Sequence, residues 1–172
     1  MDIPTDLAFW EEVAAEDSTV HIITPWNVGE FPGWSYVGGT FKWGGSEQMV
    51  EGTYYLTDDV QISGNSCGNS TIITNHTLKV NGTTESWSEL DLMGYIAGGE
   101  LTVNGGQYIQ GLVYTKSSMK FTGGAYIFGA VWVKGGGDIS GNPIVVFNTA
   151  LRDGEFGWNY KPTILSWQEL YE

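Results

Sequence analysis

Residues 107–124 read QYIQGLVYTKSSMKFTGG and residues 125–142 read AYIFGAVWVKGGGDISGN, one motif written twice at a spacing of 18. Tyr108 aligns with Tyr126, Ile109 with Ile127, Gly111 with Gly129, Val113 with Val131, Tyr114 with Trp132, Lys116 with Lys134, Phe121 with Ile139 and Gly123 with Gly141. A fixed period with small residues at fixed phase is the signature of one structural unit stacked on another.

The period extends both ways. Val60, Ile62 and Gly64 recur at the same interval as Leu78, Val80 and Gly82, and Tyr54 and Tyr55 recur as Ile72 and Ile73. The next copy, Leu101, Val103 and Gly105, comes after 23. Five surplus residues are therefore assigned to a loop insertion at 83–93, TTESWSELDLM, bulging from one corner. Ile144, Val145 and Val146 lie one full period beyond Tyr126, Ile127 and Phe128 and begin a further partial coil.

Alternation such as V-Q-I-S-G and L-K-V-N-G predicts strands with one face in and one face out, ended by glycine where a corner needs positive φ. Units of this length cannot return as hairpins and keep constant phase, whereas stacked coils can. The fold class is thus all-β: a single-stranded parallel β-helix, or β-solenoid, with about 18 residues per coil. Tyr108, Tyr126 and Ile144 should form one ladder, and Ile109, Ile127 and Val145 another. Lys116 and Lys134 should be like-charged neighbours at a solvated corner.

The whole chain, 1–172, is read as a single domain. Residues 1–18 hold a helix over Ile3 to Glu16, with Pro4 in its first turn and Leu7, Trp10, Val13 and Ala14 on one face; it is expected to cap an open end of the solenoid. Residues 19–50 are an irregular aromatic-rich cap or first coil, residues 51–147 the solenoid coils, and residues 148–172 a C-terminal cap. That cap is expected to contain a short strand around Thr163 to Ser166 and to pack Trp158, Tyr160 and Trp167 on the last coil.

Charge excludes some functions. With 20 acidic against 7 basic residues the net charge is −13, which disfavours nucleic acid and anionic membrane, both of which need a basic face. No apolar run is long enough to span a bilayer, and no signal peptide is read at Met1. One cysteine, Cys67, allows no internal disulfide.

Catalytic chemistry finds little support. His21 and His76 are the only histidines and lie far apart. Asp58 with Asp59, and Asp153 with Glu155, are turn pairs rather than full calcium loops. No catalytic residues, no metal site and no cofactor are expected. Asn69, Asn75 and Asn81 open glycosylation-type triplets of a kind that arise easily in Asn/Thr-rich coils. The candidate binding residues are Trp26, Trp34, Trp43 and Trp87, because indole rings in a loop can stack on sugars or anchor a protein partner. Packing into a cap is the competing role for the same rings.

Three stretches carry a resemblance: Ile3-Pro4-Thr5-Asp6 opening the helix; coils such as GTYYL, VQISGN, GLVYT and GAVWVKGGGDISGN; and the closing Ser166-Trp167-Gln168-Glu169. Together they resemble the extracytoplasmic part of PilX-like type IV pilus assembly accessory proteins, or minor pilins with a β-solenoid domain. The resemblance implies an extracytoplasmic, cell-surface or periplasmic place, and pilus or other surface proteins as partners. It also implies an apolar anchoring helix that this chain does not contain, so no membrane contact by this segment is expected. A non-enzymatic surface or pilus-associated structural or adhesion module is the function expected. Two alternatives stand beside it: a carbohydrate-binding or carbohydrate-active β-helix using the aromatics of residues 26–43, and a self-assembling solenoid of the bactofilin kind.

Overall fold

The computed structural model describes residues 3–44, 49, 51–64, 67–83, 85–87 and 93–147. The chain begins with one helix, α1 (Leu7–Glu16). Asp6 caps it: the carboxylate accepts from the Phe9 backbone N–H at 3.1 Å, satisfying one of the orphan donors of the first turn. Pro4 lies ahead of the helix rather than in its first turn, and its carbonyl accepts from the Trp10 indole N–H at 3.1 Å.

Among the described residues fifteen strands follow: β1 (Val20–Ile23), β2 (Trp34–Val37), β3 (Thr40–Trp43), β4 (Gly52–Leu56), β5 (Asp59–Ile62), β6 (Cys67–Thr74), β7 (Leu78–Asn81) and β8 (Glu85–Trp87), then β9 (Met93–Ala97), β10 (Leu101–Asn104), β11 (Tyr108–Thr115), β12 (Met119–Thr122), β13 (Tyr126–Val133), β14 (Gly137–Ile139) and β15 (Ile144–Phe147). They wind into a parallel β-solenoid. An eight-stranded sheet runs β1-β4-β6-β8-β11-β13-β15, with β9 beside β8 between β6 and β11; a seven-stranded sheet runs β14-β12-β10-β7-β5-β3-β2. Each coil contributes one pass to each sheet.

The registers are those the period demands. Tyr108 pairs with Tyr126 and Tyr126 with Ile144, while Ile109, Ile127 and Val145 form the neighbouring ladder. In the other sheet Ile62, Val80, Val103, Phe121 and Ile139 stand in one column. The core between the sheets is filled by such columns, with Tyr54, Ile72, Tyr95 and Val113 from one sheet against Phe41, Val80, Val103 and Phe121 from the other. Each buried side chain of this kind contributes about 1.5–3 kcal/mol by leaving water. The corners stack as closely as the strands: Gly105 has φ +94, and a Cβ there would run into the carbonyl oxygen of Gly82 one coil below. Only glycine fits.

The longer step, from Val80 to Val103, resolves within a strand pass. Asn69 pairs with Trp87, and Ile72 pairs with Tyr95, so an interval of three along β6 is matched by one of eight on the next coil. Of the interval 83–93 expected as loop, Glu85–Trp87 and Met93 are strand, and the surplus falls at residues 88–92, outside the described residues.

The aromatic-rich stretch makes a first coil. Strand β1 joins one sheet beside β4 and β3 joins the other beside β5. Strand β2 turns back on β3 as an antiparallel hairpin, pairing Trp34 with Trp43 and Tyr36 with Phe41, and so finishes that sheet. The end of the stack is closed by this hairpin. Helix α1 lies instead on the flank: Trp10 stacks on Tyr55 at 6.4 Å and shares a cluster with Val20, Ile73 and Ile96, on the face of the sheet turned away from Tyr54 and Ile72. Tyr55 donates its hydroxyl to the Thr5 carbonyl at 2.9 Å, tying the entry of the helix to the sheet. The C-terminal cap expected at 148–172 lies outside the described residues.

Candidate functional site

Three of the four candidate tryptophans are placed, side chain included, and they have separate environments. Trp34 and Trp43 are buried in the core, edge to face at 5.3 Å, with Trp34 also against Tyr54 at 6.3 Å. Gly33, at φ +86, passes so close to the Trp43 ring that a Cβ would collide with it. These two rings are the seal of the first coil and present no face to a ligand. Their indole nitrogens are buried without a hydrogen-bond partner, a desolvation cost that the packing of two large rings offsets.

Trp26 is the opposite case: it is 95% exposed. Its loop is firmly held. The Asn27 side chain accepts from the Thr24 backbone N–H at 2.7 Å and from the Thr24 hydroxyl at 3.1 Å, and it donates to the Ile22 carbonyl at 2.9 Å. The Trp26 N–H in turn donates to the Thr24 hydroxyl at 3.3 Å. A short 3-10 turn, Val28–Glu30, follows. Trp87 occupies the last position of β8, opposite Asn69, and its side chain is outside the described residues. Of the three placed side chains, Trp34 and Trp43 come together in the core and Trp26 stands apart in solvent.

The titratable groups are used locally. His21 sits between Phe31 at 5.6 Å and Tyr54 at 5.2 Å. The Asp58 carboxylate accepts from the Tyr36 hydroxyl at 2.7 Å, which pushes the Tyr36 pKa upward because ionising the phenol would set two negative charges together. Asp59 accepts from the Thr77 backbone N–H at 3.0 Å. The two adjacent aspartates therefore bind different parts of the turns rather than one point in space. Among the described residues no group of three or more His, Cys, Asp or Glu side chains comes together. Burial pushes the Tyr54 and Tyr55 hydroxyls up to about 12, with the Asp6 and Glu11 carboxylates adding to the effect at Tyr55.

Of the glycosylation-type asparagines, Asn69 donates to Glu51 at 3.1 Å, Asn75 accepts from the Thr5 hydroxyl at 2.8 Å, and Asn81 accepts from Asn104 at 2.7 Å. Thr122 extends this last contact by donating to Asn104, so the ends of β7, β10 and β12 carry a hydrogen-bonded ladder along one corner of the coils. Asp153 and Glu155 lie outside the described residues.

A surface feature emerges that the candidate residues did not include. Tyr108 and Tyr126 stack in register, rings 5.6 Å apart and 5° from parallel, and remain 39% and 38% exposed. Ile144 continues their ladder, and Phe128 and Val146 pair two positions along, with Phe128 half-buried and both Ile144 and Val146 exposed. The sequence signal for this apolar strip is present in the duplicated motif: Tyr alternates with the inward Ile109 and Ile127, so it must point outward.

Comparison of the chain with family models, with curated proteins and with solved structures returned no match.

Proposed function

We propose that the chain is a non-enzymatic structural or adhesion module of the cell surface, associated with pili, that works by presenting its flank to another protein. The observation that carries this reading is the strip of exposed Tyr108, Tyr126, Ile144 and Val146, continued by the half-buried Phe128. Aromatic side chains fixed in a sheet lose little entropy on binding, and a contiguous apolar patch on a soluble surface marks an interaction site. The net charge of −13 favours a protein partner over nucleic acid. The resemblance to pilus accessory proteins supports the extracytoplasmic setting.

The test is genetic. Deleting the gene in the producing cell should lower pilus number or surface adhesion, and the wild-type gene should restore both. A Tyr108→Ser/Tyr126→Ser version, confirmed as folded by circular dichroism, should restore neither. Unchanged piliation and adhesion in the deletion strain would overturn the proposal.

One observation favours a second reading, carbohydrate binding. Trp26 is fully presented on a hydrogen-bonded loop, the arrangement from which an indole can stack on a sugar ring. A glycan array on the wild-type chain and on Trp26→Ala decides it: binding lost with the indole supports the reading, and no binding by the wild type removes it.

A further inference from the structure

The charges of the described residues are divided between the two sides of the solenoid. The helix side carries Asp6, Glu11, Glu12, Glu16 and Asp17, and residues 3–17 contain no base. On the opposite side, the outer face of the seven-stranded sheet, lysine recurs in a single column. Lys42 pairs with Gln61, Gln61 with Lys79, Lys79 with Thr102 and Thr102 with Lys120. The three lysines are exposed, whereas Gln61 is half-buried and Thr102 buried, so the ammonium groups are the raised points of the row. Among the described residues these are three of five basic side chains. Parallel rungs lie about 4.8 Å apart, so successive lysines stand about 9.6 Å apart and the row is about 19 Å long.

We propose that this row binds a linear acidic polysaccharide whose uronate carboxylates recur once per disaccharide. Such a chain, extended with two-fold symmetry, presents its carboxylates along one edge at close to the two-rung interval. Successive carboxylates then meet successive lysines. The neighbouring column suits the sugar rings: Asn81, Asn104 and Thr122 run parallel to the lysines, half-buried and aligned by their own hydrogen bonds, and offer amide and hydroxyl groups to ring hydroxyls. The limits of the site are acidic. Asp138 pairs with Lys120 on the next rung and ends the row with a charge that repels a polyanion. Asp59 and Glu100 border the row on its other side, where they accept from the Thr77 N–H at 3.0 Å and the Thr102 hydroxyl at 3.1 Å. A polyanion is thereby kept to the lysine and asparagine columns.

Other polyanions fit this face less well. Within β3, β5, β7, β10, β12 and β14 every outward position is polar. There is no aromatic or aliphatic anchor of the kind that carries a protein interface, and no ring on which a nucleic-acid base could stack. The net charge of −13 does not repel the ligand here. The helix acids stand beyond two sheets about 10 Å apart, farther than the Debye length of about 8 Å at physiological salt. The row shares no residue with the tyrosine strip or with Trp26, so it stands or falls apart from both readings above.

The experiment is biolayer interferometry on the whole chain, with immobilised hyaluronan oligosaccharide as the uronate probe and dextran, polyglutamate and oligo(dT) as comparison ligands. The wild type should bind hyaluronan, more weakly as salt rises, and should not bind dextran. Lys79→Gln/Lys120→Gln should weaken binding about tenfold. Lys116→Gln/Lys134→Gln removes the same charge at the corner of the coils and should leave binding unchanged. Circular dichroism checks that each variant is folded. No binding of hyaluronan by the wild type would overturn the proposal, as would an equal loss in the corner variant. Tighter binding of polyglutamate or oligo(dT) would give the face to an acidic protein or to nucleic acid and overturn it as well.

Discussion

The two ends of the stack terminate the same column in opposite ways. At the N-terminal end it begins with Trp43, 2% exposed, and at the C-terminal end of the described coils it finishes with Ile139, 65% exposed. Nothing in the coil itself distinguishes these positions. In a solenoid each rung is covered by its neighbours, so burial at an end depends on a device from outside the repeat. At the first end that device is the β2–β3 hairpin, which reverses the chain, lays Trp34 across Trp43 and closes the sheet with an antiparallel strand. A coil therefore supplies architecture, and its ends have to be solved separately.

The largest test of this contrast is Trp43→Ala. Removing an indole that Trp34 and Gly33 pack against should cost about 3–5 kcal/mol in urea unfolding, and a loss below about 1 kcal/mol would mean the hairpin is not the seal. Alkaline pH comes next. Tyr54 and Tyr55 have hydroxyls raised to about 12 against an ordinary value near 10, so the folded state disfavours their ionised forms. Their contribution is full below pH about 10 and is lost as pH rises through about 12. Near-ultraviolet circular dichroism should report this loss, and Tyr55→Phe, although it removes the bond to Thr5, should narrow its pH dependence.

Gly33→Ala should cost about 1–3 kcal/mol, combining a backbone at φ +86 with overpacking against Trp43; a stabilised variant would show that the ring can move aside. Asp6→Ala should cost about 1 kcal/mol by removing the cap of α1, and its effect should appear in the flank cluster rather than in the hairpin. The smallest effect is one of rates. Amides of β3 and β5 should exchange with deuterium more slowly than those of β14 and β15, and uniform protection along the stack would abolish the contrast.

The repeat was legible because stacking leaves a mark at every rung. Gly105 must be glycine above Gly82, and Ile127 must be apolar above Ile109, so phase survives in the sequence. The hairpin left no such mark. Trp34 pairs with Trp43 in an antiparallel register that no coil period can express, and Trp, unlike Gly, is at home either inside or outside. Three similar-looking tryptophans therefore divide into two that seal the core and one, Trp26, that stands in solvent. The helix was legible as amphipathic, but the stripe containing Trp10 says that a face is covered and not which surface covers it. The register could assign that stripe to the outward side of Tyr55 only once the alternation of Tyr54 and Tyr55 was resolved.

The unequal chain lengths between facing strand passes have a consequence for phase. Asn69 meets Trp87 and Ile72 meets Tyr95, although three positions separate Asn69 from Ile72 and eight separate Trp87 from Tyr95. Strands β8 and β9 are each held by the coil on either side, through β6 and β11. Register in this stack is therefore kept by pairing across coils and not by counting residues along the chain.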